Sequence, residues 1–373
     1  MKGFSDLFAG ISIITIPDPS DLASRIIIAS LKRCCLWWSL TPLLVSGCIA
    51  RPEKEVVVYC ALDREYSQPI LASFERTPSG VPVTSVFDVE ASKTVGLVKR
   101  LEAESKRPRC DIFWNNEILH TIRLAKAGLL EKRTWDIPSN WPSQFRADDG
   151  SWVAVAARAR VLLINTEKLA DQSQWPSTVQ ELTDPKWKGK AGVALPLYGT
   201  TATHFTVMHL QLGSEKAKQW FENVASSAVV LSGNKQVALA VSSGQLEWGL
   251  TDTDDAIIEV DRGAPVAIVF PDQQPDQVGT LLLPTTVAVI RNAPHPRAAG
   301  QLADRLVSED IESRLAIADS AQIPLRPGSK ITSRITIPPT IRWAQVDYPA
   351  AADAWENLQN ELQGIFRSAA ISK

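Results

Sequence analysis

Apolar positions fall into two alternating rhythms in the first part of this chain. Residues 55–61 (EVVVYCA) form an unbroken β-branched run, as expected of a strand buried on both faces. Residues 69–76 follow as a helix, with Pro69 near its first turn and Ile70 and Phe74 four apart. Residues 81–87 alternate into a second strand. Residues 92–104 carry Val95, Val98 and Leu101 on one helical stripe. A short strand at 111–114 and a helix at 117–127, stopped by Gly128, complete the unit. The β-α-β-α-β-α order predicts a parallel, doubly wound sheet with its ligand-binding crevice at the carboxyl ends of the strands.

Residues 151–165 read as two strands that cross out of that unit. A second α/β segment then runs to about residue 261. It holds a strand at 192–195, helices at 202–212 and 235–243, and a strand at 246–250. Residues 265–270 form a strand that crosses back, and 286–291 another, with helices from His295 onward. Trp355, Leu358, Leu362, Ile365 and Phe366 make the stripe of a last helix. Two crossings imply two lobes around a cleft.

The N-terminus reads differently. Lys32-Arg33 precedes the apolar run 34–47, a basic segment and hydrophobic core of secretory type. It ends Val45-Ser46-Gly47-Cys48, which resembles the bacterial lipobox, whose cysteine is lipidated. Residues 1–47 are therefore expected to be a leader, with translation starting as far in as Leu31. Cys48 would tether the remainder to a membrane by lipid alone. The expected division is 1–47 leader, 48–155 first lobe, 156–265 second lobe, and 266–373 a return to the first lobe with C-terminal helices.

Composition narrows the chemistry. The chain is 45% hydrophobic with a formal charge of -2, so a folded chain is expected and a strong nucleic-acid binder is not. Of the 5 cysteines, only Cys60 and Cys110 remain inside the lobes. With strand order 2-1-3 they sit at opposite strand ends, about 13–17 Å apart at roughly 3.3 Å per residue. A disulfide needs Cα atoms within about 7 Å, so two free buried thiols are expected.

Candidate binding residues cluster after strand ends. Asp252, Asp254 and Asp255 suit a hard cation or an ammonium group, or else cap the helix that follows. Tyr198-Gly199-Thr200-Thr201 precedes a helix start, an arrangement suited to an anion. Asp63 and Tyr66 follow the first strand, and Trp114, Asn116 and Glu117 end the third. His204 reads as a packed histidine. No GxSxG elbow, P-loop or GxGxxG appears.

Six segments taken together, VVVYCALDREYSQPILASFE, EASKTVGLVKRLEAE, DIFWNNEILHTIRLAKAGLLE, LPLYGTTATHF, AVSSGQLEWGLTDTDDA and LADRLVSEDIESRLA, resemble the iron(III)-type extracellular solute-binding proteins of bacterial ABC transporters. The resemblance implies a two-lobed α/β fold of periplasmic-binding-protein type, with parallel sheets joined by crossover strands. It implies a monomer in the cell envelope that performs no catalysis and passes its solute to a permease and ATPase complex. The transported ligand would be ferric ion with a small anion. Its metal ligands would be Asp63, Asp254 and Asp255, and Asn234 would assist the anion turn. Asp254-Asp255 stand where ferric-binding relatives carry adjacent tyrosines. An aminophosphonate, polyamine or sugar is the alternative ligand, and an enzyme on the same two-lobed fold is the alternative of a different class.

Overall fold

The computed structural model describes residues 53–88 and 94–371; the leader and Cys48 lie outside the described residues. The first unit follows the predicted rhythm. It contains β1 (Val56–Cys60), α1 (Arg64–Glu75), β2 (Val83–Phe87), α2 (Val95–Ala103), β3 (Ile112–Asn115) and α3 (Leu119–Lys126). The strands run parallel in the order β2-β1-β3. Val56, Val58, Ile112 and Phe113 are fully buried, each contributing about 1.5–3 kcal/mol of transfer free energy.

β4 (Val153–Asn165) is one strand of 13 residues, all buried, where two strands were expected. No glycine or proline interrupts it, so nothing in the segment supplies a turn. Its sole irregularity in pairing is a bulge between Ala154 and Ala156. The second unit continues with β5 (Ala191–Ala194), α4 (Gly199–Leu212), α5 (Ser214–Ser227), β6 (Val229–Leu231), α6 (Asn234–Ser242), β7 (Trp248–Asp252), α7 (Thr253–Asp261) and β8 (Val266–Val269). The chain then forms β9 (Leu282–Val289), α8 (Pro296–Leu306), α9 (Glu309–Ile317) and α10 (Tyr348–Ile371).

β4 joins the two halves of the molecule. Its first half pairs with β9, and its second half lies between β7 and β8. The strand path is β2-β1-β3-β9-β4-β7-β5-β6, with β8 also on β4. β8 was expected to cross back, but it pairs with Leu162–Asn165 in the second half. The return is made by β9, which lies antiparallel to both β3 and β4.

α10 packs against α3 of the first unit and against α4 and α5 of the second. Trp355 meets His120 edge-on at 6.3 Å between ring centroids, and Phe366 meets Phe205 at 5.8 Å. Trp355, Leu358, Leu362 and Phe366 of the predicted stripe are buried and Ile365 is half-buried. Cys60 and Cys110 are free and buried. Cys60 pairs in register with Trp114, while Cys110 precedes β3 by two residues, so the sulfurs stand at different levels of the sheet. Burial pushes the Cys60 thiol up to about 12.

Candidate functional site

The carboxyl ends of β1, β3, β5 and β7 open onto one polar cavity. Of the residues singled out in the sequence, Asp63, Asn116, Tyr198, Gly199, Thr200, Thr201, Asn234, Asp252, Asp254 and Asp255 line it. Ser232, Gly233 and Arg158 line it as well. Gly199 begins α4 with φ +55°, a left-handed backbone that favours glycine.

Three of the expected residues do not line this cavity. Trp114 is 0% exposed, in a strand whose residues are buried on both faces. Glu117 is occupied with the start of α3, where its carboxylate accepts from the Leu119 and His120 amides at 2.9 and 3.0 Å. It also accepts from Thr203 of α4 at 3.3 Å, a link between the two halves of the molecule. Tyr66 lines the adjoining stretch of cleft with Asp255 and Lys235. Burial, reinforced by Glu65 and Asp254, raises its phenol well above the ordinary value, so it stays protonated.

The residues that organise the site are Arg158 and Arg160, which the sequence reading did not single out. Their spacing of two along β4 places both on one face of the strand. Arg160 is fully buried and opposes Asp252 in the β4–β7 register. Its Nη1 donates to Asp252 Oδ1 at 2.6 Å and to Asn234 Oδ1 at 3.0 Å. Its Nε donates to His204 Nδ1 at 3.3 Å, so the His204 proton sits on Nε2. Burial, with Arg160 beside it, pushes His204 down to about 3, and it stays neutral as a packed histidine.

Asp252 is the hub of this network. Its Oδ2 accepts from Thr200 Oγ1 at 2.6 Å and from Asn234 Nδ2 at 3.0 Å. Asn234 Oδ1 also accepts from Thr201 Oγ1 at 3.1 Å. One carboxylate thus ties together the starts of α4, α6 and α7. Its position precedes α7, yet its side chain does not cap that helix. The capping reading therefore fails for Asp252, whose oxygens are committed to Arg160, Thr200 and Asn234.

Arg158 serves Asp254. Its Nη1 donates to Asp254 Oδ2 at 2.8 Å and lies 3.6 Å from Asp252 Oδ2. Its Nη2 donates to the Asn116 carbonyl at 2.8 Å, across to the end of β3. Its Nε finds no hydrogen-bond partner among the described residues.

The two buried aspartates respond oppositely to these surroundings. Burial raises Asp254, and the Asp252 charge adds to that, so the Arg158 charge does not bring it back to the ordinary range. Burial would also raise Asp252, but the Arg160 and Arg158 charges outweigh it and hold Asp252 below the usual carboxylate value.

One carboxylate oxygen from each of Asp252, Asp254 and Asp255 lies within 4.8 Å of the others, a grouping able to hold a metal ion. Facing the same cavity are the first turns of α4, α6 and α7, none capped by its own N-cap side chain. Helix starts of this kind favour negative charge. Carboxylates, a guanidinium and helix amides in one polar cavity suit a ligand that carries both signs of charge.

A family model described as bacterial extracellular solute-binding protein matches residues 121–350. Iron uptake protein A1 of Synechocystis sp. is 26% identical over 275 residues, covering 71% of this chain and 74% of that protein. Among solved structures, iron-bound HitA from Pseudomonas aeruginosa superposes with a TM-score of 0.75 at 21% identity, over 84% of this chain and 99% of that one. AfuA from Actinobacillus pleuropneumoniae, with fructose-6-phosphate bound, gives 0.73 at 20% identity over 84% and 99%. These likenesses identify the architecture as the two-lobed α/β fold of periplasmic binding proteins. With the family model covering residues 121–350, this chain belongs to the bacterial extracellular solute-binding proteins.

Proposed function

We propose that this protein captures ferric ion together with a small oxyanion in the cleft between its lobes and hands the pair to an ABC permease and ATPase complex. The observation that carries this reading is the meeting, in one cavity, of the Asp252–Asp254–Asp255 carboxylates with the starts of α4, α6 and α7. The carboxylates supply hard oxygen donors for the cation, and the helix starts with Arg158 supply the anion's partners. Asp63, exposed at the end of β1 and on the cavity wall, adds a donor from the opposite lobe. The names of relatives such as iron uptake protein A1 support the same choice. The protein works as a monomer in the cell envelope, held to the membrane through lipid on Cys48.

The test is direct. Ferric citrate at micromolar concentration should raise the melting temperature and quench tryptophan emission. The loaded protein should be pale, because carboxylates stand in place of the tyrosine pair, unless Tyr66 or Tyr198 supplies a phenolate. If ferric citrate does neither, the iron reading fails. Arg158 on the cavity wall favours a second reading, an organic anion such as a sugar phosphate. Stabilisation by fructose-6-phosphate without metal would select it.

A further inference from the structure

We infer that the amino-terminal end of the first unit's sheet is a membrane-facing surface that docks on anionic phospholipid headgroups, with the cleft at the opposite end pointing away from the lipid. For its occupant the inference rests on the reading that lipid on Cys48 tethers the protein.

β1 and β3 run parallel, so the segments that enter them gather at one end of the sheet, opposite the ends that open onto the cleft. Residues 105–109 (SKRPR) lead into β3 there and carry Lys106, Arg107 and Arg109. β9 is antiparallel to β3 and finishes at the same end, which brings Arg291 beside them. Arg109 and Arg291 line one pocket with Leu101, Leu124, Leu130 and Ile290. Arg297, in the first turn of α8, donates its amide to Glu53 Oε1 at 3.0 Å, and Lys54 is the next residue.

The charges of this end are layered. Lys54, Lys106, Arg107, Arg109, Arg291 and Arg297 are all exposed, and none of their side chains has a hydrogen-bond or ion-pair partner among the described residues. The acids between them lie deeper and are engaged. Asp111 is buried and accepts from the Val57 amide and from His295. Glu53, Glu55 and Glu104 are half-buried. Glu53 accepts from the Arg297 and Ala298 amides, Glu55 from Thr84, and Glu104 from Tyr59 and Arg100. The exposed acids Glu102 and Glu131 lie at the margin. Positive charge therefore forms the outer layer of this end, although the whole chain carries -2.

Headgroup phosphates match such a surface, because they accept from guanidinium and ammonium groups and an anionic leaflet draws cations toward it. The tether selects a membrane over a soluble anion. Cys48, outside the described residues, precedes Glu53 by five positions, and five residues span at most about 18 Å. Lipid at Cys48 holds the bilayer within that reach of Glu53, whose carboxylate is fixed to the start of α8 beside Arg297. The lipid and the basic face then act as two signals for one surface. With this end on the bilayer, the carboxyl ends of β1 and β3 present the cleft to solution.

Lysine acetylation of the lipidated protein in vesicles, read by mass spectrometry, tests the orientation. With about one-third phosphatidylglycerol, Lys54 and Lys106 should react at least fivefold more slowly than in phosphatidylcholine alone. Lys218 of α5, exposed on the second unit, should keep its rate. Sodium chloride at roughly 0.5 M should erase the difference by screening. A triple variant, Arg107→Gln with Arg109→Gln and Arg291→Gln, should lose most of the protection yet keep its stabilisation by ferric citrate, since none of the three lines the cleft. If that variant fails to fold, the salt series on wild type carries the test. Equal rates in the two vesicles, or protection that survives salt, overturns the inference while ferric capture stands, and so does protection that appears only when a permease is present. Failure to float with phosphatidylcholine vesicles overturns the tether instead. Flotation with phosphatidylglycerol vesicles then supports the basic face by itself, and its absence overturns that too.

Discussion

Both lobes bring strand ends to the same cleft, yet they furnish it in opposite ways. The first contributes Asp63, exposed on the loop after β1, and the backbone carbonyl of Asn116 at the end of β3. Its sheet interior is mostly apolar, with Cys60 and Cys110 buried as neutral thiols and a smaller polar cluster of Asn115, Glu117, Thr121 and Thr286 at the end of β3. The second contributes a charged interior, in which buried Arg160 hydrogen-bonds Asp252 and Asn234, and these with Thr200 and Thr201 form a network along the cavity wall. A polar network of this kind fixes geometry, because every member loses a partner if another moves. The second lobe thus holds a hydrogen-bonded binding surface, and the first lobe contributes fewer polar groups to the same cleft.

The largest expected effect comes from the buried charges. Arg160→Met should cost about 3–5 kcal/mol of stability by leaving Asp252 buried without its main counter-charge. Ile112→Val, in the apolar sheet of the first lobe, should cost only about 0.5–1.5 kcal/mol. Chemical denaturation of both variants checks the contrast, and it collapses if Arg160→Met proves the milder of the two.

Acid should separate the lobes next. The folded state lowers the Asp252 value, so the stability it contributes is fully present above the ordinary carboxylate range. That contribution drains away as pH falls through the lowered folded value. Asp254 behaves in reverse: its folded value is raised, so its ionisation costs stability as pH rises from the unfolded value through the folded one. In a melting-temperature series, Asp252→Asn should therefore fall well below wild type at neutral pH and converge with it in strong acid. A constant gap across the series would remove the electrostatic role assigned to Asp252.

The thiols test the first lobe. Cys60 and Cys110 should resist a thiol reagent in the native protein and both react after denaturation without reductant. A mass showing a bridged pair would contradict the register of β1 and β3. The smallest effect should come from Asp63→Asn. Exposure limits its stability change to about 0.5 kcal/mol, in line with surface substitutions. Ferric citrate affinity should nevertheless fall. A stability loss as large as that of Arg160→Met would mean that the first lobe's side of the cleft is as tightly hydrogen-bonded as the second's.

Much of the cleft was legible before any coordinates. Carboxylates and small polar residues directly after strand ends belong to the crevice of an α/β sheet, and nine of the residues chosen on that basis line one cavity, joined by Asn234, which the family resemblance implied. Trp114 and Glu117 escaped the rule for local reasons. Trp114 lies one residue inside the end of a strand buried on both faces, and Glu117 turns back onto the first amides of α3. Arg158 and Arg160 did leave a signal: two arginines, two apart, inside an apolar run. A buried charge requires a partner, and that alone announces a network without naming its other members.

The sequence by itself determined most of the elements. Hydrophobic period separates strands from helices, and the parallel first unit, the free thiols and the last helix follow from patterns that repeat over a few residues. The tertiary structure alone decided the pairings. Arg160 meets Asp252 across 92 positions of chain, and Arg158 meets Asp254 across 96. Only the antiparallel register of β4 against β7 sets Arg160 opposite Asp252. Local sequence records how deeply a residue is buried, because burial follows periodicity. It carries no record of which distant charge will neutralise it, because that depends on the register between strands that are remote in sequence.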